Sequence, residues 1–283
     1  MEVKQRGTAL GHRIILFIYN LLGYNFVALI LNFVALYYFF FTPSVRRDMK
    51  SYYEAMNLEL THSRYFNHLK MFAFSIFDRF VSRIKPQDLM FCVHNSEIVK
   101  LLNEQGGIVL LSHVGSWASA AHTLEGELPR MNIVMRENTH DSIKNVEQEN
   151  KRENEQSVNI IDLSQGAIAS NIQIANALME NELVALMADR FVDERKKVKV
   201  TFLNRDVYIN KNPFEIALRV KKPLVSIFVT NYSLQKYELK LELIEHGSIE
   251  EMAQSYTNIL QNIIKKHPNQ WYNMYNFFKE ARV

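Results

Sequence analysis

Residues 106–117 have the sequence GGIVLLSHVGSW, in which four apolar residues stand between a glycine pair and a polar cluster. A short, continuous apolar run bounded by turn residues is typical of a buried strand in a parallel sheet. Similar runs recur along the rest of the chain, at 133–135, 158–163, 183–188 and 224–229. These runs predict five strands that are buried on both faces.

The segments between the predicted strands have the length and periodicity of helices. Predicted helices cover 116–127, 141–155, 166–181, 212–221 and 249–267. Asn212 followed by Pro213 predicts a helix start, with a capping side chain and proline in the first turn. Alternating apolar and charged residues at 237–243 predict a half-exposed strand near a sheet edge.

The region upstream of the strands has a helical pattern. Residues 46–83 are predicted to be helical, with one apolar face made by Tyr65, Leu69, Phe72, Ile76 and Phe80. Strands that alternate with helices indicate an α/β fold, in which helices flank a central, mostly parallel sheet.

Composition excludes several classes of protein. The chain has 283 residues, of which 48% are hydrophobic and 22% charged, so it can build a packed core. A net charge of +3 does not favour nucleic-acid binding. The single cysteine, Cys92, excludes an intramolecular disulfide and a cysteine-rich zinc site. A mean hydropathy of −0.15 argues against a polytopic membrane protein.

One apolar stretch near the N-terminus stands apart from this average. Residues 14–41 contain no charged side chain, and a bilayer core needs only about 20 such residues. The basic residues on the two sides of the stretch are Lys4, Arg6, Arg13, Arg46, Arg47 and Lys50. Because positive charge favours the cytoplasmic side, charge at both ends favours a bent or re-entrant helical pair that enters from that side. A single span and a buried core helix are the alternatives.

The tyrosines of this stretch are predicted to lie at the membrane interface with wet hydroxyls; they are Tyr19, Tyr24, Tyr37 and Tyr38. The chain then divides into a membrane-associating helical segment, residues 1–45, and an α/β domain, residues 46–283. No repeat or low-complexity linker interrupts the second part.

Candidate catalytic residues follow three of the predicted strands. In open α/β sheets, ligands bind beyond the carboxyl ends of the strands, so polar residues there converge on one cleft. His113 is the candidate general base, because imidazole titrates near neutral pH. Arg136 is a candidate to stabilise an oxyanion together with nearby backbone N–H groups. Asp189 is a candidate to position a substrate hydroxyl or to pair with an arginine.

Four further residues at these strand ends are candidate substrate contacts. Gly115 allows close approach of a ligand to the backbone, and Ser116 can cap a helix whose N–H groups face an anion. Trp117 and Arg190 complete the set. A base, an oxyanion donor and substrate contacts together predict an active site.

Other chemistries lack their motifs. The sequence contains no G-x-S-x-G, Walker A, G-x-G-x-x-G or H-E-x-x-H pattern, so it predicts neither a serine hydrolase elbow, a nucleotide site nor a metal site. The charged run at 193–199 is predicted to be a solvated loop, with docking of an acidic carrier protein or anionic lipid headgroups as the alternative.

Six blocks, in this order, carry a resemblance to a known family. After the apolar N-terminus come LLSHVGSW, IVMREN, LVALMADR, VTFLNRDVYINKNPFEIALRVKKPLVSIFV and PNQWYNMYNFF. From about Lys4 to Phe278 the chain resembles the bacterial lipid A biosynthesis (lauroyl/myristoyl) acyltransferases of the lysophospholipid-acyltransferase superfamily. The resemblance implies an enzyme of the bacterial inner membrane with its catalytic domain on the cytoplasmic side. It also implies acyl transfer from an acyl carrier protein or coenzyme A thioester to a hydroxyl of a glycolipid, with no further cofactor.

The family's mark is a histidine with an acidic residue five positions later. His113 matches the histidine, Arg136 the arginine after the second strand, and Asp189 the aspartate of the later block; Ser116 stands where asparagine is frequent. The acidic position falls on Ala118. Loss of a comparable orienting carboxylate in a Ser-His-Asp system costs about four orders of magnitude in turnover.

Three explanations of Ala118 stay open. Another carboxylate, Asp189 or Glu125, replaces the missing one; or the position was altered to trap an inactive form; or the protein is a non-catalytic member. The leading hypothesis is an acyltransferase that holds its acyl chain in an apolar groove lined in part by the N-terminal segment. The alternatives are a catalytically impaired or non-enzymatic lipid-binding homologue, and a hydrolase that releases acyl chains to water.

Overall fold

A seven-stranded sheet forms the centre of the molecule. The computed structural model describes residues 9–119, 128–136, 158–191 and 193–278. The strands of this sheet are β1 (Met90–His94), β2 (Gly107–Leu111), β3 (Met131–Met135), β4 (Val158–Asp162), β5 (Leu183–Met187), β8 (Leu224–Ser233) and β9 (Lys236–Ile244). Their order across the sheet is β1-β9-β8-β2-β5-β3-β4.

The direction of the strands makes this sheet mostly parallel. The pairs β8–β2, β2–β5, β5–β3 and β3–β4 are parallel, whereas β9 is antiparallel to β8 and β1 is parallel to β9. Strand β2 is buried at every position, as its continuous apolar run predicted. A separate antiparallel hairpin consists of β6 (Lys197–Phe202) and β7 (Arg205–Asn210).

Helices pack around the sheet and confirm the predicted α/β class. They are α1 (Ala9–Phe41), α2 (Pro43–Ala55), α3 (His62–Ile84), α4 (Ser96–Gln105), α5 (Ala167–Met179), α6 (Asn212–Val220) and α7 (Ile249–Lys266). Helix α7 begins with a capping box, in which Ser248 and Glu251 exchange side-chain and backbone hydrogen bonds. The predicted helix 141–155 and most of the predicted helix 116–127 lie outside the described residues.

The structure corrects several boundaries. The single helical region predicted at 46–83 is two helices, α2 and α3, separated by residues 56–61. Strand β1, helix α4 and the β6–β7 hairpin were not predicted; β1 is a short apolar run, whereas α4 and the hairpin mix apolar with charged residues. The predicted cap at Asn212 is also wrong: α6 already includes Asn212, and its N-cap residue, Lys211, makes no side-chain capping bond.

The predicted solvated loop at 193–199 is wrong in its second half. Lys197 and Lys199 belong to strand β6, where they pair with Glu194 and Asp206. Lys196 pairs with Glu215 at 2.9 Å. Because these cations have partners within the chain, this run offers less free positive charge to a docking partner than its sequence indicated.

Helix α1 is bent at Gly23, where the backbone adopts φ 78° and ψ 179°. This conformation is open essentially to glycine alone, so the bend is encoded locally. One side of α1 packs on α3 and contributes buried side chains such as Leu16, Val27 and Leu31. By length and composition, Leu10–Phe41 is able to cross a membrane, yet a third of its most apolar window is buried in the protein.

The opposite side of α1 is an exposed apolar surface. Its exposed side chains are Leu10, Ile14, Phe17, Leu21, Leu22, Phe26, Leu29, Phe33, Leu36, Tyr37, Phe40 and Phe41. An exposed apolar face of this size is typical of an interaction surface.

The predicted wet tyrosines are wrong at two positions. Tyr19 is buried and donates its hydroxyl hydrogen to Asp88, and Tyr24 is buried and donates to Asp78 at 2.6 Å. These hydroxyls face carboxylates of the α/β domain, because burial of a tyrosine requires a partner for its O–H.

Candidate active site

The pairing of β2 with β5 brings the two main candidate residues together. The strands are parallel, and Leu111 lies opposite Met187 at their carboxyl ends. The pairing continues one step further, since the N–H of Ala188 donates to the carbonyl of Leu111 at 2.9 Å. His113 and Asp189 each lie two residues beyond the Leu111–Met187 pair, so they are side by side at the carboxyl ends of the two strands.

His113 and Asp189 form a hydrogen-bonded pair. The distance from His113 Nδ1 to Asp189 Oδ1 is 2.9 Å, and the backbone N–H of His113 donates to Oδ2 at 3.0 Å. A carboxylate only accepts, so Nδ1 carries the hydrogen, and in the neutral imidazole the lone pair is on Nε2. The imidazole side chain is 29% exposed whereas the Asp189 side chain is fully buried. A substrate can thus reach the histidine but not the carboxylate.

Trp271 holds the second oxygen of this carboxylate. Its indole N–H donates to Asp189 Oδ2 at 3.0 Å, and its ring is fully buried. Burial by itself raises the pKa of Asp189, but His113, Arg190 and the hydrogen bonds from His113 outweigh it and hold this pKa well below its usual range. Asp189 is therefore ionised throughout the physiological range.

The C-terminal segment fixes the backbone around His113. The N–H of Tyr272 donates to the His113 carbonyl at 2.8 Å, and the N–H of Gly115 donates to the Gln270 carbonyl at 2.8 Å. Gln270 and Tyr272 belong to the block PNQWYNMYNFF, for which the sequence predicted no role. The signal available in sequence was a dense aromatic block with no helical or strand period, which is typical of a segment held by tertiary contacts.

The close approach of strand β8 requires a glycine at position 115. A Cβ at this position would lie 1.7 Å from the carbonyl oxygen of Val229 on β8, and the backbone has φ 57°. Both the contact and the dihedral angle exclude other residues. Strand β8 therefore occupies the space beside Gly115 that was expected to admit a ligand.

Ser116 and Trp117 are integrated into the protein. The N–H of Ser116 donates to the carbonyl of Val229 at 3.0 Å, and the residue is buried. Trp117 is partly buried and packs against the apolar core between α3 and the sheet. The N–H groups of His113, Gly115 and Ser116 all donate to protein acceptors, so these three are not free to bind an oxyanion.

The two candidate arginines differ in their surroundings. Arg190 donates from Nε to Asn273 and from Nη2 to the Tyr272 carbonyl at 2.6 Å, and its guanidinium lies 5.1 Å from the centre of the Tyr275 ring. Arg136 directly follows β3 and is exposed, without an ion pair to the described residues. Because β5 separates β3 from β2, Arg136 and His113 start roughly 10 Å apart across the sheet.

The imidazole of His113 has a carboxylate partner although residue 118 is alanine. Ala118 lies, half-buried, in the helical turn that follows the His113 loop, and the Nδ1 position of His113 is already taken by Asp189. Glu125, the other candidate for this role, lies outside the described residues.

An apolar groove lies next to this site. It has a volume of about 230 Å³ and runs between α1 and α3. Phe72 of α3 lines the groove, and its ring centre is 5.1 Å from that of Tyr272, whose backbone holds His113. Met274 lines the groove as well, and Ser75 of α3 donates to the Gly115 carbonyl at 3.0 Å. The same helix therefore supports both the groove and the loop of His113.

A mostly parallel sheet with a histidine–aspartate pair at its strand ends and an apolar groove nearby defines an α/β protein with a candidate active site. The model of the bacterial lipid A biosynthesis acyltransferase family matches residues 62–280, which is about three quarters of the chain. The chain belongs to this family, and the family predicted from its sequence blocks is confirmed. A search of curated proteins finds no match. The match begins at the first residue of α3, so α1 and α2 precede it.

Proposed function

We propose that this protein transfers a fatty acyl chain from an acyl carrier protein or coenzyme A thioester to a hydroxyl of a lipid or glycolipid acceptor. Membership of an acyltransferase family gives the reaction class. The observation that carries the proposal is the 2.9 Å contact between His113 Nδ1 and Asp189 Oδ1. It supports a general base whose ring is fixed in one tautomer by a buried carboxylate.

His113 removes the proton of the acceptor hydroxyl. With Nδ1–H held by Asp189, the lone pair on Nε2 accepts that proton while the hydroxyl oxygen attacks the thioester carbonyl carbon. The carbon–sulfur bond of the tetrahedral intermediate then breaks, and the imidazolium returns its proton to the leaving thiolate. The products are an ester and a free thiol, so the step needs no further cofactor.

Asp189 acts on His113 and not on the acceptor. Its oxygens accept from His113 and Trp271, and its side chain has no exposed surface. An ionised carboxylate in this position orients the imidazole and stabilises the imidazolium that forms. In this role it replaces the acidic residue for which Ala118 stands in the family's motif.

Arg136 stabilises the oxyanion. Three backbone N–H groups of the His113 loop are committed to protein acceptors, whereas Arg136 is exposed at the same edge of the sheet. A guanidinium is long enough to approach a carbonyl oxygen near His113 from a neighbouring strand end. Arg190 has a positioning role, because it holds the segment that contains Tyr272 and Asn273.

The groove between α1 and α3 holds the acyl chain. Its lining is almost entirely apolar, and Phe72 and Met274 bring it close to the His113 loop. The exposed apolar side of α1 supports membrane association, which brings a lipid acceptor to the same protein. We infer that the enzyme works at the cytoplasmic face of the bacterial inner membrane, because basic residues flank the apolar stretch on both sides.

The test is an assay of acyl transfer with the full chain purified in detergent. Labelled acyl chains of several lengths are offered on acyl carrier protein and on coenzyme A, with lipid A precursors and other hydroxyl-bearing lipids as acceptors. We expect His113→Ala to abolish transfer and His94→Ala, an exposed histidine on the edge strand β1, to leave it unchanged.

Two results would contradict the proposal. Absence of transfer from either donor to every acceptor would favour the non-enzymatic homologue, particularly if His113→Ala also left the cellular phenotype intact. Release of free fatty acid at the same rate with and without an acceptor would identify a hydrolase.

A further inference from the structure

A basic cleft lies at the joint between α1 and α2, away from the candidate active site. It has a volume of about 380 Å³ and is lined by Pro43, Arg46, Arg47, Lys50, Glu59 and Leu60. Three cations and one carboxylate therefore face the same open space. None of these residues falls within the family match, which begins at residue 62.

The cations of the cleft are only weakly neutralised by the protein. Arg47 has no ion pair to the described part of the chain, and Lys50 meets Glu54 at 3.6 Å with both side chains more than half exposed. Exposed ion pairs of this kind contribute little to stability. The Arg46 guanidinium lies 5.9 Å from the centre of the Tyr65 ring, which orients it without cancelling its charge.

The joint that carries these cations is rigid. Tyr65 is fully buried and donates its hydroxyl hydrogen to the Thr42 carbonyl at 2.9 Å. The Thr42 hydroxyl donates to the Tyr38 carbonyl at 2.6 Å. The end of α1 and the start of α2 are thus held on α3, and the cleft is formed before any ligand binds.

The cleft borders the exposed apolar end of α1. Tyr37, Phe40 and Phe41 are 57%, 66% and 68% exposed, and only Thr42 separates them from Pro43. Exposed aromatic rings beside arginine and lysine match the layering of a membrane surface, in which acyl chains are followed by headgroup phosphates. An acidic protein partner would match the cations but would leave the aromatic rings in water.

We propose that the cleft at the α1–α2 joint binds the phosphate of anionic phospholipid headgroups, and so sets how the protein sits on the membrane. Arg46, Arg47 and Lys50 contact the phosphate while Phe40 and Phe41 enter the acyl layer. This inference rests on the membrane association given under the proposed function, but not on acyl transfer.

The experiment measures binding of the full chain to lipid vesicles after dilution from detergent. Flotation compares vesicles of phosphatidylcholine with vesicles in which a third of the lipid is phosphatidylglycerol. We expect the wild-type protein to bind the anionic vesicles more tightly, and the variant Arg46→Gln/Arg47→Gln to lose roughly tenfold on those vesicles alone. The variant Lys265→Gln/Lys266→Gln, which removes the same charge from the exposed end of α7, is expected to match the wild type.

Each other outcome overturns the inference in a distinct way. Equal losses in the two double variants would reduce it to a general charge effect. If wild-type binding does not depend on phosphatidylglycerol, the headgroup site is contradicted but membrane association is not. If the protein binds neither vesicle, both are contradicted. If Arg46→Gln/Arg47→Gln loses affinity for acyl carrier protein and keeps its preference for anionic vesicles, the cleft serves an acidic protein instead.

Discussion

At the scale of single residues, the site depends on a carboxylate that comes from a neighbouring strand and not from the helix after His113. Asp189 has three donors, namely the Nδ1–H and backbone N–H of His113 and the indole of Trp271. Donors on both oxygens leave the carboxylate one orientation. The imidazole therefore has a fixed tautomer although residue 118 is alanine.

Asp189→Asn is expected to lower turnover by roughly a thousandfold to ten-thousandfold, because an amide no longer stabilises the imidazolium and permits the wrong tautomer. The measurement is acyl transfer at saturating substrate, with folding checked by circular dichroism. Asp193→Asn is the matched control, since this carboxylate lies four residues away and, within the described residues, pairs with the exposed Arg195. Equal effects of the two substitutions would remove the orienting role of Asp189.

Ala118→Glu is expected to bring no gain in turnover. The Nδ1 position is already taken by Asp189, so a second carboxylate finds no free donor on the ring and adds a negative charge near the first. The same transfer assay measures it. An increase of tenfold or more would show that the acid missing at this position had limited the enzyme.

At the scale of secondary-structure elements, α3 joins the parts of the site. Phe72 and Ala73 line the groove, Ser75 holds the Gly115 carbonyl, and Asp78 receives a hydrogen bond from α1. One side of this helix thus faces the groove between α1 and α3 while its next turn supports the His113 loop. Changes on α3 should therefore alter acyl-chain selection before they alter the chemistry.

Ala73→Leu is expected to shift the preferred acyl chain to a shorter one. The larger side chain fills part of the groove, and displaced methylenes each lose about 0.8 kcal/mol of burial. The measurement compares transfer from thioesters of increasing chain length. Ala167→Leu, at an exposed position at the start of α5, is the control and should keep the wild-type preference. An unchanged preference in Ala73→Leu would place the acyl chain elsewhere.

At the scale of the whole molecule, a buried carboxylate ties the N-terminal helix to the sheet. Asp78 of α3 is fully buried and accepts hydrogen bonds from Tyr24 of α1 and Tyr237 of β9. Burial raises the pKa of Asp78 from 3.8 to about 7, and the two tyrosine hydrogen bonds offset only part of this. Helix α1 is therefore bonded to the α/β domain through polar contacts as well as apolar packing.

The stability of the protein is expected to fall as the pH rises from about 4 to 7. Between pH 4 and 7 the folded state holds a proton on Asp78 that the unfolded state has released, so the free energy of unfolding decreases with pH and levels off above about pH 7. Asp78→Asn is expected to flatten this slope, measured as the Tm between pH 4.5 and 8. Asp206→Asn, an exposed carboxylate on β7, should keep the wild-type slope. If the variant Asp78→Asn keeps the wild-type slope, the pH dependence comes from another titratable group.

The sequence by itself determined the fold class and the family. Continuous apolar runs at 108–111 and 183–188 are sufficient to predict buried parallel strands, because residues covered on both faces of a sheet show no alternation. The uncharged stretch at 14–41 likewise predicted a bent pair of apolar helices, and the bend lies at Gly23, whose backbone freedom allows it. These features are local, so they can be read without knowing which elements are neighbours.

Only the tertiary structure decided how the candidate site is assembled. His113 and Asp189 are separated by 76 residues and meet because β2 and β5 pair in a register that the sequence does not specify. Trp271 reaches the same carboxylate from a segment without regular secondary structure. This pairing gives His113 a carboxylate partner although residue 118 is alanine.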